Sequence, residues 1–344
     1  MELNDVMRLV RKNIANLAPY STARDEYKGK LGFFLDANEN PFENGYNRYP
    51  DPRQLELKGI ISQFKGVAVE NMFLGNGSDE AIDLCYRIFC NPGKDNAVSI
   101  APSYGMYRVA ADINDVEFRE IQLDAEFSFP AEQLTALCDE NTKLVFICSP
   151  NNPSGNSFPM QQMLDFIASF KGIVVVDEAY IDFAEQDSLL TVLPQYKNLI
   201  VLQTLSKAYG LAGLRLGLAF ADAEIMSIFA KVKYPYNINI AGMERAKELL
   251  KRDVKAEIEL LKSERKRVAD ALVAMQCVEK VFPSDANFLL VRVNDARGLY
   301  EALIKEQVIV RDRSRLKGCE ETLRITIGRP EENDRMLAIV NNWK

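Results

Sequence analysis

The chain has 344 residues, 47% of them hydrophobic, with a net charge of −7 and no histidine. The acidic balance argues against nucleic acid or an anionic membrane as the main partner. The lack of histidine excludes Ser-His-Asp and Cys-His chemistry and every His-ligated metal, so catalysis must run on Lys, Asp, Glu, Tyr, Arg, Cys or a cofactor, and no metal site is expected.

Met1-Glu-Leu-Asn-Asp5 lacks the basic stretch and apolar core of a signal peptide. Apolar runs fall far short of the roughly 20 residues that span a bilayer. A soluble, cytoplasmic protein is expected. The six cysteines, Cys85, Cys90, Cys138, Cys148, Cys277 and Cys319, form no CxxC pair and read as free, mostly buried thiols. The length predicts two domains after an arm: residues 1–30, a large domain over 31–245, and a connector helix with a small domain over 246–344.

In chain order, the first thirty residues read as polar and irregular, with a turn at Pro19-Tyr20-Ser21. Phe33-Phe-Leu35 leads into a sharp loop, Asp36-Ala-Asn-Glu-Asn-Pro41, and a turn-rich stretch, Arg48-Tyr-Pro-Asp-Pro52, precedes a helix. From about residue 72 the pattern becomes α/β. The apolar strands Ala97–Ile100, Leu144–Cys148, Ile173–Val176, Leu199–Leu202 and Leu216–Phe220 alternate with amphipathic helices. Nearly continuous apolar strands separated by helices imply a parallel sheet covered on both faces.

Ligands of open α/β sheets bind beyond the carboxyl ends of the strands, and that is where the polar loops fall. Gly75-Asn-Gly-Ser-Asp-Glu80 opens a helix and suits an anion. An ordinary helix capped by Ser78 or Asp79 explains it as well. Tyr104, in Pro102-Ser-Tyr-Gly105, is placed to lie flat on an aromatic cofactor or to pack as plain tyrosine. Ser149-Pro-Asn-Asn-Pro-Ser-Gly155 is a stiff loop presenting Asn151 and Asn152, at least one of which serves the turn itself. Asp177 directly follows Ile173–Val176, and a carboxylate half-removed from water there needs a partner. The protonated pyridine nitrogen of pyridoxal phosphate is one, a helix cap is another. Tyr180 stands three residues on.

Lys207 lies in Thr204-Leu-Ser-Lys-Ala-Tyr-Gly-Leu-Ala-Gly-Leu-Arg-Leu-Gly217. A lysine forms a Schiff base with an aldehyde, and the hydroxyls of Thr204 and Ser206 with Arg215 are the groups that hold a phosphate. Both needs together point to pyridoxal phosphate, which carries an aldehyde and a phosphate on one ring. Farther on, residues 240–275 read as one long charged helix. Strands at Phe288–Val293, Val308–Val310 and Leu323–Ile327 and helices near 296–306 and 331–342 complete the small domain. The polar groups of Asn38–Pro41 and Tyr234–Asn239 point at something the residues alone do not identify.

These pieces, in this order, resemble the fold-type-I pyridoxal-phosphate aminotransferases, and within them the histidinol-phosphate branch. The resemblance covers nearly the whole chain. Its motifs include residues 19–25, 36–42, 48–52, 75–80, 148–155, 176–183, 204–217, 235–239, 286–291, 310–314 and 323–328. Departures are mild: Ser154 stands where threonine is common, and Tyr209 where phenylalanine is.

The resemblance implies a large domain with a seven-stranded, mostly parallel sheet and a small α+β domain. It implies that Lys207 carries the cofactor and moves the proton, that Asp177 pairs with the ring nitrogen, and that Asn152 and Tyr180 hold the phenolic oxygen. Tyr104 would stack on the ring. Gly77, Ser78 and Asp79, with Thr204, Ser206 and Arg215, would hold the cofactor phosphate. Tyr49 would reach the cofactor phosphate of the other subunit of a homodimer. Tyr20, Asn38, Arg311 and Arg324 would face the substrate, with the choice between Arg311 and Arg313 left open. The implied reaction, a step of histidine biosynthesis, exchanges an amino group between histidinol phosphate and 2-oxoglutarate, giving imidazole-acetol phosphate and glutamate. A threonine-phosphate decarboxylase, an aromatic or aspartate aminotransferase, and a non-catalytic regulator on the same fold are the alternatives.

Overall fold

A computed structural model of the chain describes residues 3–20 and 32–343. The expected motif over 19–25 lies outside the described residues from position 21 onward. The early part of the chain is more regular than its composition suggests. Short helices at Leu3–Met7 and Lys12–Ala15 form there, and Val6 and Val10 are buried. They join one core of the main body, with Met7, Leu9 and Ile14 packed against it and Arg11 bonded to the Arg87 and Ile88 carbonyls.

Seven strands make the large sheet: β1 Met72–Asn76, β2 Asn96–Ala101, β3 Glu117–Gln122, β4 Thr142–Cys148, β5 Ile173–Asp177, β6 Leu199–Thr204 and β7 Leu216–Phe220. Their spatial order is β1-β7-β6-β5-β4-β2-β3. Strands β3, β2, β4, β5 and β6 are parallel, while β7 runs antiparallel to both β6 and β1. The antiparallel β7 makes the seven-stranded sheet mostly parallel, as the resemblance implied. Residues 205–215 are too short a link for a crossover, which takes a dozen residues or more, so the chain must turn back on itself.

Alternation along each strand divides the core in two. On β4, Val145 and Ile147 face one cluster, while Leu144, Phe146 and Cys148 face the other. The first cluster is covered by helices Leu55–Lys65, Met160–Ser169 and Ile240–Leu249, the second by helices Ser78–Phe89, Met106–Ile113 and Ala223–Val232. Burial on both faces is why the central strands read as unbroken apolar runs.

The second sheet, in the order β10-β11-β9-β8, is antiparallel and comprises β8 Val278–Val281, β9 Phe288–Val293, β10 Arg311–Asp312 and β11 Thr322–Thr326. Helices Ala296–Lys305 and Pro330–Asn342 cover it. Val308–Val310, expected as a strand, is instead the exit from the preceding helix: Gln307 takes a φ of 61° and the Val308 amide bonds back to Leu303. The ladder begins only where Arg311 meets Arg324.

The helix expected over 240–275 is two helices, Ile240–Leu249 and Lys255–Val273. Leu249 and Leu250 pack against the large core, Val268 and Leu272 against the small one. One apolar stripe serves two cores, and the break lets it turn between them. All six cysteines are free, five of them buried. Among the described residues no helix is long and apolar enough to cross a membrane.

Candidate active site

Strands β4, β5 and β6 are in register so that Cys148 opposes Asp177 and Asp177 opposes Leu202. Their carboxyl ends therefore open on one edge of the sheet, around a cavity of about 160 Å³.

Asp177 forms the floor and is only 3% exposed. The Tyr107 hydroxyl donates to its Oδ2 at 2.8 Å and the Ala179 amide to its Oδ1 at 3.1 Å. Burial pushes the carboxyl up to about 6, and these two hydrogen bonds only partly oppose the rise. No lysine or arginine of the described residues forms an ion pair with it. Tyr107 was not foreseen from sequence. The available signal was the spacing Tyr104-Gly-Met-Tyr107 at a helix start, since a buried tyrosine hydroxyl must find a partner.

Lys207 stands on the loop after β6, its Nζ 5.6 Å from the centre of the Tyr180 ring. The side chain is open to the cavity. The protein packed around it, followed by the nearby Arg324 charge, nevertheless holds its amine below the usual lysine value. Tyr180 is buried and meets Phe288 edge-on at 5.1 Å.

The turn from β1 into helix Ser78–Phe89 closes one side. Gly77, at φ 74°, begins the helix with no side-chain cap. That corrects the capped-helix alternative: neither Ser78 nor Asp79 covers the first amides, which stay available to an anion. Asp79 instead accepts from the Tyr104 hydroxyl at 3.0 Å and lies 3.7 Å from the Arg215 guanidinium. The Gly77 amide donates to the Arg215 carbonyl at 2.8 Å, and Arg215 itself is left-handed at φ 54°. A Cβ on Gly217 would overlap the backbone of Gly77 and Ser78, so glycine there is what permits the two loops to meet. The Thr204 hydroxyl donates to Ser206 Oγ at 3.0 Å on the adjoining rim.

The two asparagines of the proline loop divide their labour. Asn151 is spent on the loop, bonded to Pro102, Ser103 and Ser154. Asn152 faces the cavity, its Oδ1 accepting from Arg324 Nη1 at 2.5 Å. Arg324 lies over the Phe288 ring at 5.2 Å, and burial lowers its pKa. Arg311 is its cross-strand neighbour.

Tyr20, Asn38 and Tyr49 do not line this cavity. Tyr20 is 74% exposed. Asn38 and Tyr49 border a separate hollow, where Tyr49 stacks on Tyr236 at 4.4 Å with a 13° interplanar angle. The Tyr234–Asn239 loop thus acquires specific contacts. Tyr236 makes the stack, Asn237 donates to the Leu74 carbonyl and to Glu80, and Asn239 caps helix Ile240–Leu249.

Residues 35–340 match the aminotransferase class I and II family. The chain belongs to that family. A histidinol-phosphate aminotransferase of Parabacteroides distasonis is 51% identical over 344 residues, covering 99% of this chain and 100% of that protein. One from Flavobacterium johnsoniae is 48% identical over 338 residues, 97% of each. The crystal structure of the histidinol-phosphate aminotransferase from Clostridium acetobutylicum superposes with a TM-score of 0.79 at 25% identity, over 86% of this chain and 90% of that one.

Aminotransferases of this fold work with pyridoxal phosphate, and this cavity fits it on three counts. Asp177 is a buried carboxylate with no ion-pair partner among the described residues, as a pyridinium N–H requires. The uncapped helix start, with Thr204, Ser206 and Arg215 beside it, suits a phosphate. Lys207, with its amine pKa lowered, stands between them.

Proposed function

We propose that this aminotransferase exchanges the amino group of histidinol phosphate with 2-oxoglutarate, as a step of histidine biosynthesis in the cytoplasm. The observation that carries the substrate assignment is the set of arginines beside Lys207. Arg324 reaches Asn152 at the cavity rim and Arg311 stands across the strand pair from it. Arginine clamps phosphate and carboxylate alike through paired N–H groups, so one rim serves both substrates of a two-stage exchange. The names carried by relatives at 46–51% identity support the same reading.

Pyridoxal phosphate, when bound, supplies an aldehyde for the lysine and a ring that draws electrons from the substrate α-carbon. The remaining work belongs to the chain. Lys207 would take up the cofactor aldehyde and, as a free amine, would be the base for the substrate α-proton, helped by an environment that lowers its pKa. Asp177 keeps the ring nitrogen protonated, and Tyr107 and the Ala179 amide keep Asp177 in place. Asn152 and Tyr180 would hold the phenolic oxygen, and Tyr104 would cover the ring face. Ser78, Asp79, Thr204, Ser206 and Arg215 would hold the cofactor phosphate, beside Gly77, whose own amide is engaged by the Arg215 carbonyl. Tyr20 and Asn38 lie outside the cavity of their own chain and would reach a substrate, as Tyr49 would the partner's cofactor, only where two copies share their sites.

The test is a comparison of amine donors. Histidinol phosphate should be used far better than histidinol or aspartate, because losing a charge-assisted contact in such a site costs about 2–5 kcal/mol. Comparable kcat/KM for histidinol and its phosphate would reject the substrate. Carbon dioxide release from threonine phosphate, without glutamate formation, would favour the decarboxylase instead.

A further inference from the structure

The β10–β11 edge holds one arginine that the mechanism above does not use. Arg313 lies two residues past Arg311, where alternation brings a side chain back to the same face. Its amide extends the ladder, donating to the Thr322 carbonyl at 2.9 Å. Arg324 is anchored on Asn152. Arg313 has no such anchor: among the described residues its half-buried side chain makes no hydrogen bond or ion pair, and its Nε is buried without a partner. The next side chain is in the same position, with Ser314 Oγ buried and unpartnered while the Ser314 amide donates to Asp312 at 2.8 Å.

Two like charges bear on Arg313. Burial lowers its pKa first, and Arg324 and Arg311 add to that. Three guanidinium groups thus share one strand pair, and the neutral Asn152 oxygen engages only that of Arg324. Crowding like charges in a half-desolvated place costs stability, and a bound anion relieves the cost. A single carboxylate is answered by the Arg324 fork. A phosphate monoester carries a second charge and a third oxygen, which calls for a further donor.

We propose that Arg313 is the phosphate-selective arginine of this site. It engages the phosphoryl end of the amine substrate and contributes little when a dicarboxylate occupies the same place. The inference rests on the phosphorylated substrate proposed above.

The two half-reactions are measured separately on cofactor-loaded enzyme. Arg313→Gln should lower kcat/KM for histidinol phosphate by about 30-fold or more. It should leave the glutamate half-reaction within about threefold, which also shows that the variant folds. Arg313→Lys, which keeps the charge without the fork, should recover part of the loss. Calorimetry should show weakened binding of propyl phosphate but not of glutarate. Equal losses in both half-reactions, or loss in neither, overturn the role of Arg313. A wild-type enzyme that does not distinguish histidinol phosphate from histidinol overturns the substrate assignment, and this inference with it, before any variant is compared.

Discussion

At the scale of single residues, the site sets function against stability, and Asp177 shows this most plainly. Its folded pKa of about 6 lies above the ordinary 3.8, chiefly because it is buried. For an acid raised in this way, the stabilising contribution is complete below about 3.8 and is lost as pH rises through about 6. In cofactor-free protein at pH 7.5 the ionised group therefore weighs against folding. Asp177→Asn removes that charge at little structural cost. The amide oxygen can accept from Ala179, and the amide nitrogen can donate to the Tyr107 hydroxyl, which acts in either sense. The variant should raise the stability of cofactor-free protein at pH 7.5 by roughly 2–3 kcal/mol, from the rise of the carboxyl to about 6. The gain should vanish by pH 4. Turnover should fall about a thousandfold or more, equivalent to about 4 kcal/mol of barrier. Denaturant titrations at the two pH values check the first part, and a gain that does not change with pH would refute the account of Asp177.

At the scale of elements, the site is made by close approach of loops, and Gly217 is the test of that. It sits at the start of β7, and a Cβ there would overlap the Gly77 carbonyl carbon and the Ser78 amide nitrogen. Backbone cannot rotate aside as a side chain can. Gly217→Ala should cost at least about 1–3 kcal/mol and weaken cofactor binding, because the helix start it displaces is the one that faces the phosphate. Wild-type cofactor affinity in that variant would show that the two loops need not touch. The elements also explain what could be read in advance. The strands β2, β4, β5, β6 and β7 were legible because burial leaves long apolar runs. The edge strand β3, Glu117–Gln122, was not, because its side chains alternate among charged, polar and apolar and are half-exposed or exposed. The split of the 240–275 helix was hidden because its apolar stripe continues across the break. Lys207 and Asp177 were visible just beyond apolar strands, whereas the proline loop presents Asn151 and Asn152 alike and only the resemblance singles out Asn152. Tyr107 and Arg313 were harder, since their significance comes from partners, or the lack of them, far away in the chain.

At the scale of the whole molecule, one segment of the chain leaves its large apolar side chains exposed. Phe33 is 101% exposed, Leu35 90%, Phe42 81%, Tyr46 68% and Tyr49 50%. They lie together in a stretch, residues 32–54, that forms no helix or strand. Exposed apolar side chains concentrated in one segment mark an interaction surface. A second copy of this chain is the partner we propose, since a two-fold interface uses one surface twice. Tyr49 belongs to that segment and does not line the cavity of its own chain, as a residue acting on the other subunit's site requires. Mixed dimers of Tyr49→Phe and Lys207→Ala chains decide between the two arrangements. Acting in trans, the intact Tyr49 of the Lys207→Ala chain serves the intact Lys207 of the other chain, and the second site collects both lesions. Acting in cis, the only site with a lysine also carries the Tyr49→Phe lesion. The Tyr49→Phe homodimer should bind cofactor more weakly, by about 0.5–1.5 kcal/mol for a lost hydrogen bond. The heterodimer should then retain one competent site of wild-type cofactor affinity. A competent site with the weakened affinity of the Tyr49→Phe homodimer would place Tyr49 in its own subunit's site, and a chain that sediments as a monomer would remove the shared-site proposal altogether.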